Sequence, residues 1–376
     1  MRYFLIAGEA SGDLHGANLV KELKLKDRDS LFEGWGGDIM QKEGVNIKTH
    51  YKALAIMGFL QVLLNLRKIF VNLKRCKSDI EAFNPDVIIL IDYPGFNLRI
   101  AKYASLRGRR VFYFISPKVW AWKESRVELL RRYIDRLYII FPFEKEYFEK
   151  HGIDAHYFGN PLVDIVNRSF AGLSDRGKIF EETGLGDRPV IAFVPGSRKH
   201  EIRHNLPIMT EMCKYFPKYS FVVTAVKTIP DAYYRKYMTA WSDIKLVYNS
   251  TYEVMAVAEA ALVTSGTATL ETAMLGTPQV VCYRADNFSY QIAKRLVKVR
   301  FISLVNLVMD KEIVKELLQN DLTEKNLLRE LRSILKGGWK RGIMINNYME
   351  MMKMLGDQGV TGRIAEDIHS NLKFDK

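Results

Sequence analysis

The sequence predicts an α/β protein made of two doubly wound domains, each with a parallel sheet that is covered by helices on both faces. Short apolar runs alternate with longer amphipathic stretches, which is the pattern of successive βαβ units. The chain has 376 residues, enough for two domains, and a polar stretch at 172–188 divides the alternation into two series. We therefore expect a first domain over residues 1–183, a second over 184–340 and a helical tail over 341–376.

The predicted elements follow from the period of the hydrophobic pattern in each stretch. Buried strands of the first series are expected at residues 2–7, 87–92, 110–115 and 136–140. Helices of the first series are expected near residues 14–25, 97–107, 123–133 and 143–150. Strands of the second series are expected at residues 190–194, 219–224, 244–247, 260–264 and 278–282. Residues 311–376 have a helical pattern almost throughout, and the sequence has no internal repeat.

Composition and cysteine usage exclude several classes of protein. With 48% hydrophobic and 26% charged residues, the chain is globular and not disordered. Three scattered cysteines (Cys76, Cys213 and Cys282) exclude a disulfide scaffold and a CxxC metal site, and they fit a reducing compartment. No run approaches the roughly 18 apolar residues of a spanning helix. Acidic residues follow the first apolar run too closely for a signal peptide. We therefore expect a cytosolic protein.

The net charge of +13 comes from two segments in the first half of the chain. Residues 67–77 carry five basic and no acidic residues, and residues 97–136 carry eleven basic and three acidic ones. The first segment ends an amphipathic stretch, 56–77, which is typical both of a helix on an anionic membrane and of one packed on a core. The sequence leaves both open. The residues expected to contact a membrane are Phe59, Val62, Leu63, Leu66, Arg67, Lys68, Phe70, Lys74 and Arg75.

Loops at the carboxyl ends of the predicted strands are where ligands bind in open parallel sheets. The first is GEASGD, in which Gly8, Glu9, Ser11, Gly12 and Asp13 are candidate binding residues. Two glycines let the backbone approach a ligand, and the following helix offers N–H groups to an anion. A tight turn with Ser11 or Asp13 as the helix cap explains the pattern equally well. The spacing is not the GxGxxG of dinucleotide-binding folds.

Two further loops of the first domain carry side chains that suit catalysis or sugar binding. Asp92 ends an apolar run, where a carboxylate can take the proton of an attacking hydroxyl group, and Asn97 follows in the same loop. A cap or turn role before Pro94 is the alternative for Asp92. The segment SPKVWAW at 116–122 places Trp120 after the next strand, either in the wall of a sugar or acyl site or in the core.

Two loops of the second domain suit phosphate binding. Ser197 and Arg198 follow a strand, and a guanidinium group matches phosphate oxygens; an ion pair with Glu201 on the next helix is the alternative. The segment TSGTATLE is a strand, a turn of small residues and a helix, whose N–H groups and dipole would attract an anion. Glu271 would accept hydrogen bonds from a diol such as ribose, with a capping-box role as the alternative. The candidates in this segment are Ser265, Gly266, Thr267, Ala268 and Glu271.

Taken together, these segments resemble those of the lipid-A-disaccharide synthase family. The resemblance follows one order over roughly residues 1–335. The matching segments are AGEASGDLHGANL (7–19), MGFLQVL (57–63), IDYPGFNLRIA (91–101), SPKVWAW (116–122), FPFEKEYFEKHG (141–152), GNPLVD (159–164), PGSRKHEI (195–202), SGTATLE (265–271) and SLVNL (303–307).

The resemblance implies a glycosyltransferase of the GT-B fold, with two Rossmann-like domains that face a central cleft. The family joins UDP-2,3-diacylglucosamine to 2,3-diacylglucosamine 1-phosphate with inversion, and the products are UDP and a β-1,6-linked lipid A disaccharide 1-phosphate. The first domain would face the acceptor and the membrane, and the second would bind the UDP-sugar. The resemblance implies no metal ion or other cofactor, and the sequence has no cluster of acids like a metal-binding DxD.

The resemblance also implies roles for residues of the second domain. SGTATLE would hold UDP, with Glu271 on the ribose. Ser197 and Arg198 would face the diphosphate, and Asn306 of SLVN would lie beside it. The charge of the leaving group would then be met by Arg198, helix amides and the helix dipole.

By the same resemblance, Asp92 would be the general base for the 6-hydroxyl group of the acceptor. Some members of the family have a second acid in this loop, where this chain has Gly95. The base role here therefore falls on Asp92 alone, or on Glu9 or Asp13.

Because both substrates carry acyl chains, the resemblance implies a peripheral protein on the cytoplasmic face of a Gram-negative inner membrane, in contact with anionic lipid. The helical tail would pack back on the first domain or on a second copy in a homodimer.

Alternatives within the architecture are a peptidoglycan-lipid N-acetylglucosaminyltransferase and a UDP-N-acetylglucosamine epimerase. The charge alone would also suit a nucleic-acid-binding protein, but no motif for nucleic acid is present, so we expect no such partner.

Overall fold

The chain forms two compact units, one comprising Met1–Pro161 with Gly356–Lys376 and the other comprising Leu162–Leu355. Each unit contains a parallel sheet with helices, so the predicted fold class is confirmed. The computed structural model describes residues 1–54, 66–122, 124–171, 179, 185, 187–238, 243–248, 250–286 and 299–373.

The first unit is built on a seven-stranded sheet. Its strands are β1 (Arg2–Ala7), β2 (Leu31–Gly36), β3 (Asn46–His50), β4 (Val87–Ile91), β5 (Arg110–Phe114), β6 (Arg136–Ile139) and β7 (Ala155–Tyr157). Its helices up to Pro161 are α1 (Ala10–Lys26), α2 (Asp38–Lys42), α3 (Leu66–Phe83), α4 (Pro94–Ser105), α5 (Val119–Trp122), α6 (Val127–Tyr133) and α7 (Pro142–Lys150). The strand order is β3-β2-β1-β4-β5-β6-β7. The four predicted strands are confirmed as β1, β4, β5 and β6.

The sequence pattern does not predict β2, β3 or β7. Two of the six residues of β2 are glycine, and β7 has only three residues. β3 lies at the edge of the sheet, where most of its side chains are exposed or half-buried. These strands lack the continuous apolar run of a strand that is buried on both faces.

The core of this unit lies on both faces of the sheet, because side chains of a strand alternate between the faces. Phe4 and Ile6 of β1 pack on one face with buried residues of α3, α4 and α6. Tyr3, Leu5 and Ala7 pack on the other face with buried residues of α1. The sheet is therefore covered on both sides, and only the loops at its ends are available to a ligand.

The second unit is built on a six-stranded sheet. Its strands are β8 (Val190–Val194), β9 (Ser220–Ala225), β10 (Lys245–Tyr248), β11 (Ala260–Thr264), β12 (Gln279–Tyr283) and β13 (Lys315–Leu318). Its described helices are α8 (Leu162–Ala171), α9 (Lys199–Thr210), α10 (Asp231–Arg235), α11 (Thr251–Val257), α12 (Thr267–Met274), α13 (Leu304–Met309), α14 (Glu324–Ile334) and α15 (Arg341–Leu355). The strand order is β10-β9-β8-β11-β12-β13. The five predicted strands are confirmed, but β13 corrects the expectation of helix almost throughout residues 311–376.

The chain passes from one unit to the other after Pro161 and returns after Leu355, whereas the predicted boundaries are at 183 and 340. α8 belongs to the second unit because its Val166 packs in the core with Val254 of α11. The predicted tail is divided between the units. α15 stays with the second unit, and the last helix, α16 (Val360–Lys373), packs on α1 in the first. There Arg136 of β6 binds Asp367 of α16 through two nitrogens, at 2.5 and 2.6 Å.

The sequence also predicts neither a disulfide scaffold nor a membrane-spanning helix. Cys76, Cys213 and Cys282 are buried and form no disulfide. Among the described helices, none combines the length and apolar character that a membrane crossing requires.

Candidate active site

Four neighbouring strands of the first sheet, β1, β4, β5 and β6, end at the same edge. The loop after β1 carries the exposed Glu9, and the first turn of α1 carries the exposed Ser11 and the buried Gly12. The loop after β4 carries Asp92, and the loop after β5 carries Lys118. Since the carboxyl ends of parallel strands form the usual ligand-binding edge, the fold brings together the three loops of the first domain that the sequence singled out.

The backbone after β4 turns through two left-handed residues, Asp92 (φ 44°) and Tyr93 (φ 49°). This region costs non-glycine residues about 1–3 kcal/mol each, and such strain is concentrated at functional sites. Two side chains hold the carbonyl oxygen of Asp92: the Asn97 amide donates to it over 2.7 Å and the Tyr113 hydroxyl over 2.6 Å. The neighbouring elements therefore fix the turn from which the Asp92 carboxylate projects.

Gly8 lets the loop after β1 approach this turn. A Cβ at position 8 would lie 2.2 Å from the ring of Tyr93. No larger residue fits there unless the turn moves. The close approach brings the negative charge of Glu9 within electrostatic reach of Asp92.

Opposing effects act on the pKa of the Asp92 carboxyl group. Desolvation by the surrounding protein raises its pKa above the usual value, the ammonium group of Lys118 opposes this, and the charge of Glu9 adds to it. The residue itself remains accessible to solvent. An accessible carboxylate with a raised pKa is a stronger proton acceptor than an ordinary surface aspartate. These features suit the role of general base, which stays a prediction for Asp92.

Trp120 of α5 lies half-buried at the same edge. Its indole N–H donates to Oε1 of Glu144 over 2.9 Å. Glu144 is completely buried, and its Oε2 accepts from the amides of Ile140 (3.1 Å) and Phe141 (3.0 Å). Glu144 is not among the residues that the sequence predicts for a site. The available signal was a glutamate in the first turn of a helix that begins with proline, which is typical of a capping box.

Two predicted binding residues of this edge have structural roles. Asp13 is 1% exposed, and its carboxylate accepts hydrogen bonds of 2.7–3.2 Å from the amides of Gly37, Ile39 and Met40. It therefore caps α2, which corrects its prediction as a ligand contact or alternative base. Asn97 is completely buried, and its amide nitrogen donates to carbonyl oxygens at the ends of β1 and β4. It supports the loop through this nitrogen, and its role in binding stays a prediction.

In the second unit, the neighbouring strands β8 and β11 end at one edge of the sheet. After β8, Gly196 adopts φ 101°, and Glu201 folds back under the turn. Oε2 of Glu201 accepts from the amides of Ser197 (3.0 Å) and Arg198 (3.1 Å), and Oε1 pairs with the Arg198 guanidinium at 3.0 Å. The alternative ion pair is therefore formed. Arg198 remains 48% exposed, and this contact uses one of five N–H donors.

After β11, the predicted turn of small residues and the following helix, α12, are both present. The Ser265 hydroxyl donates to the carbonyl of Ile302 over 2.8 Å, so it links two loops. Gly266 and Thr267 are exposed, and Ala268 is half-buried. A Cβ at Gly266 would meet no described atom within 4 Å. Because the first N–H groups of a helix lack intrahelical acceptors, this open N-terminus suits an anion.

Glu271 of α12 is oriented by a residue that the sequence analysis missed. The Tyr252 hydroxyl, from the first turn of α11, donates to Oε1 of Glu271 over 3.0 Å. Desolvation raises the pKa of Glu271, and the hydrogen bond from Tyr252 opposes this shift. Tyr252 carries no local sequence signal, because its partner lies on another helix.

Asn306, predicted beside a diphosphate, is completely buried. Its amide nitrogen donates to the carbonyl of Val314 and to Glu316, both over 2.9 Å. Its amide oxygen accepts from the backbone of Ile313 (2.8 Å) and Val314 (3.0 Å). In this structure Asn306 closes the loop before β13, and its place beside a diphosphate stays a prediction.

The whole sequence, and not only the candidate loops, matches one family. Residues 3–360 match the family described as lipid-A-disaccharide synthetase. The chain belongs to this family. It is 36% identical over 369 residues to the lipid-A-disaccharide synthase of Syntrophus aciditrophicus (strain SB), covering 96% of this chain and 95% of that one. It is 36% identical over 373 residues to that of Myxococcus xanthus (strain DK1622), covering 98% and 96%. The predicted family is confirmed.

Solved structures show which fold this member of the lipid-A-disaccharide synthase family has. A UDP-GlcNAc 2-epimerase from Neisseria meningitidis bound to UDP-GlcNAc matches with a TM-score of 0.68 at 14% identity, covering 98% of this chain and 100% of that one. The calicheamicin glycosyltransferase CalG4 matches with a TM-score of 0.62 at 13% identity, covering 99% and 98%. The predicted GT-B fold is confirmed, and at these identities the likeness concerns the fold alone.

Proposed function

We propose that this protein is an inverting glycosyltransferase that joins UDP-2,3-diacylglucosamine to the 6-hydroxyl group of 2,3-diacylglucosamine 1-phosphate. The products would be a β-1,6-linked lipid A disaccharide 1-phosphate and UDP. The observation that carries this proposal is membership of the lipid-A-disaccharide synthetase family over residues 3–360. The loops at the edges of the two sheets would supply the chemical groups that such a reaction needs.

The donor half of the reaction would use the edge formed by β8 and β11. The exposed guanidinium of Arg198 and the first amides of α12, at Gly266 and Thr267, would bind the diphosphate. Glu271 would accept hydrogen bonds from the ribose. Ser197 lies in the same turn as Arg198, where Glu201 holds both of their amides. As UDP leaves, these fixed donors would stabilise the negative charge that develops on it.

Loss of the Tyr252 hydroxyl is expected to weaken donor binding, because the Glu271 carboxylate would lose the bond that orients it. A hydrogen bond to a charged group contributes roughly 1.5–3 kcal/mol. We expect Tyr252→Phe to raise KM for the UDP-sugar about tenfold with little change in kcat. Steady-state kinetics would measure both constants.

The matched control for this variant is Tyr219→Phe. Tyr219 also donates to a glutamate, Glu259, over 2.9 Å, but at the opposite edge of the same sheet. An equal rise of KM in Tyr219→Phe, or no rise in Tyr252→Phe, would show that Tyr252 does not orient a donor-binding group.

The acceptor half would use the edge formed by β1, β4 and β5. Asp92 would take the proton of the 6-hydroxyl group as its oxygen attacks the anomeric carbon. The new C–O bond forms as the bond to the UDP oxygen breaks, and attack from the opposite face inverts the anomeric carbon. The half-buried Trp120 would contact the acceptor sugar or its acyl chains.

The direct test is incubation of the purified protein with both acylated substrates in the presence of a chelator. We expect equal amounts of disaccharide and UDP. UDP-N-acetylglucosamine, alone or with a peptidoglycan lipid acceptor, should be a poor substrate. Epimerisation of that sugar, or its transfer to the peptidoglycan lipid, would instead support one of the alternatives within the same fold.

The membrane contact that we also propose would involve the exposed side of α3. This helix buries Leu73, Cys76, Ile80 and Phe83 in the core of the first unit. Phe70, which is expected to contact a membrane, is 66% exposed. Phe59, Val62 and Leu63 lie outside the described residues, and Leu66 is the first residue of the helix.

Four exposed basic residues of α3 surround exposed apolar ones. They are Arg67, Lys68, Lys74 and Arg75, and Val71 is exposed beside Phe70. Basic and apolar side chains together are typical of surfaces that bind anionic bilayers. We therefore propose a peripheral protein on the cytoplasmic face of the inner membrane.

Reversal of the four charges to glutamate is expected to release the protein from vesicles that contain anionic phospholipid. Each basic residue near such a surface contributes about 1 kcal/mol, so binding should fall by at least a hundredfold in vesicle sedimentation. The matched control reverses four exposed lysines of the second unit, Lys311, Lys325, Lys336 and Lys353, and makes the same change in net charge. Equal loss in both variants would point to net charge and not to α3.

A homodimer through the C-terminal helices is the last part of the proposal. Ile343 and Met349 of α15 are 57% and 55% exposed, and Trp339 just before the helix is 71% exposed. Apolar side chains of this kind are common in subunit interfaces. The mass of the protein in solution, measured by light scattering, would test this.

A further inference from the structure

The loop between β5 and α6 carries Lys118 at the edge of the first sheet. Hydrogen bonds hold this loop on both sides of Lys118. Before Lys118, the Ser116 amide donates to the carbonyl of Tyr138 over 3.2 Å. After it, Trp120 donates to Glu144 over 2.9 Å. Lys118 itself is exposed. A long, flexible side chain thus starts from a backbone position that its neighbours determine.

The Trp120 end of the loop depends on a buried carboxylate and two aromatic rings. Trp120 packs edge-on against Phe143, with ring centroids 4.9 Å apart, and Phe143 stacks on Phe141 at 5.5 Å. The two oxygens of Glu144 accept three N–H groups, one from the Trp120 indole and two from the backbone. A glutamine at this position could not do the same, because its NH2 group would face either the indole N–H or the two amides.

Glu144 is more than a helix cap because it ties α7 to the loop that holds Lys118. The charge of Lys118 acts on the carboxyl groups of both Asp92 and Glu144, so the ammonium group lies within electrostatic reach of each. The edge of the sheet therefore contains a connection from α7 through Trp120 to the loop of Lys118, whose charge acts on the residue predicted as the base.

We propose that Glu144 is a positioning residue for the transfer reaction: through Trp120 it fixes the loop that holds Lys118 beside Asp92. The inference rests on the proposed function, because it takes Asp92 to be the base. The charge of Lys118 favours the ionised form of Asp92, and Glu144 would hold the loop from which Lys118 extends. Burial makes Glu144 itself sensitive to protonation, since it raises the pKa of this carboxyl group to about 7.

The pH dependence of the reaction reports on this arrangement. The groups that act on Asp92 are Glu9 from the loop after β1, the amide of Tyr93, and Lys118 from the loop after β5. The hydroxyl of Tyr113 in β5 donates to the carbonyl of Asp92. Of these, Lys118 is the cation, so its displacement would raise the pKa of Asp92. The acid limb of the profile of kcat/KM would then move to higher pH.

Glu144 is itself acted on by Lys118 from the loop and by the Trp120 indole, and its charge in turn acts on Tyr157 of β7. Protonation of Glu144 would remove an acceptor for the three N–H groups. A second, independent loss on the acid side of the profile is therefore expected in the wild type, and it should be absent from Glu144→Gln.

The experiment compares the pH profiles of the wild type, Lys118→Met, Lys118→Arg, Glu144→Gln and Trp120→Phe with both acylated substrates. We expect Glu144→Gln and Trp120→Phe to lower kcat about 10- to 100-fold through misplacement of the loop. In both, the limb that belongs to Asp92 should move to higher pH, as in Lys118→Met, and in Lys118→Arg it should stay at its wild-type position. The separate acid-side loss that belongs to Glu144 should be absent from Glu144→Gln and present in Trp120→Phe and Lys118→Met. Asp135→Asn removes the charge from a similar carboxylate, which accepts from the Val111 amide over 2.7 Å at the opposite edge, and serves as the stability control.

The double variant Trp120→Phe with Glu144→Gln separates positioning from loss of folding. In it the glutamine oxygen can accept both backbone amides and its NH2 group no longer faces an N–H donor, so activity should be no lower than in Glu144→Gln alone. An unchanged acid limb in Glu144→Gln and Lys118→Met would overturn the inference, as would a shift that Asp135→Asn shares. Absence of disaccharide in the wild type would instead reject the proposed function.

Discussion

Asp92→Asn is expected to lower kcat about 10²–10⁴-fold, the usual effect of removing a general base. The amide has almost the same shape as the carboxylate, and asparagine tolerates the left-handed backbone that position 92 requires. The hydrogen bonds to the backbone carbonyl from Asn97 and Tyr113 do not involve the substituted group. Folding and UDP inhibition should therefore stay near wild type, and the loss should lie in turnover.

The pH profile gives a second measure of the same role. Because burial raises the pKa of Asp92, the rate of the wild type should fall with decreasing pH at values above the usual range for an aspartate. This limb should be absent from Asp92→Asn. Asp154→Asn is the matched control, since its side chain is 87% exposed at the far edge of the same sheet. Near-normal turnover of Asp92→Asn on both acylated substrates would move the base role to Glu9.

The central strands could be predicted from the sequence because burial on both faces leaves a continuous apolar run, as in VIILI of β4. β13 could not, since only two of the four residues in its sequence KELL are apolar. The structure gives Glu316 a use that no local pattern shows: its carboxylate accepts from the amides of Ile302 and Ser303 and from Asn306. The tertiary contact, and not the propensity of the segment, determines this strand.

The sequence predicts which loops form the candidate site. It predicts less well which side chains of those loops are available to a ligand. Asp13 and Asp92 are both acids just beyond an apolar strand, and the sequence treats them alike. The fold separates them, because Asp13 caps a helix 24 residues later whereas Asp92 projects from a strained turn near Lys118. Glu144 shows the converse, since its place in a capping pattern concealed the contact with Trp120. Hydrogen-bond partners on other helices and strands determine which of these side chains is left available to a ligand.

The fold by itself does not decide the reaction either. This chain shares its architecture with a UDP-GlcNAc 2-epimerase at a TM-score of 0.68 but only 14% identity. Related folds support different reactions through the side chains of their loops. Substitutions that test the proposed transfer should therefore be made in the loops after β4, β5 and β11, and not in the two sheets that support these loops.

Arg198→Ala is expected to lower kcat/KM about 10²–10³-fold, the usual effect of removing one fixed donor from a developing negative charge. The side chain is 48% exposed, so its loss should change stability little. Glu201 would keep its hydrogen bonds to the amides of Ser197 and Arg198, and the turn after β8 should stay in place. The loss should therefore appear as weaker inhibition by UDP together with lower turnover.

The shape of the guanidinium group and its charge can be separated. Arg198→Lys keeps the charge without the planar fork of donors, so it should recover only part of the activity. Arg235→Ala is the matched control in the same unit, because Arg235 is 60% exposed and also pairs with a nearby acid, Asp231. If UDP inhibits Arg198→Ala as strongly as the wild type, Arg198 does not bind the diphosphate, and its role is limited to the ion pair with Glu201. The N-terminus of α12 and Glu271 would then have to hold the nucleotide without it, and Tyr252→Phe would become the more damaging variant of the two.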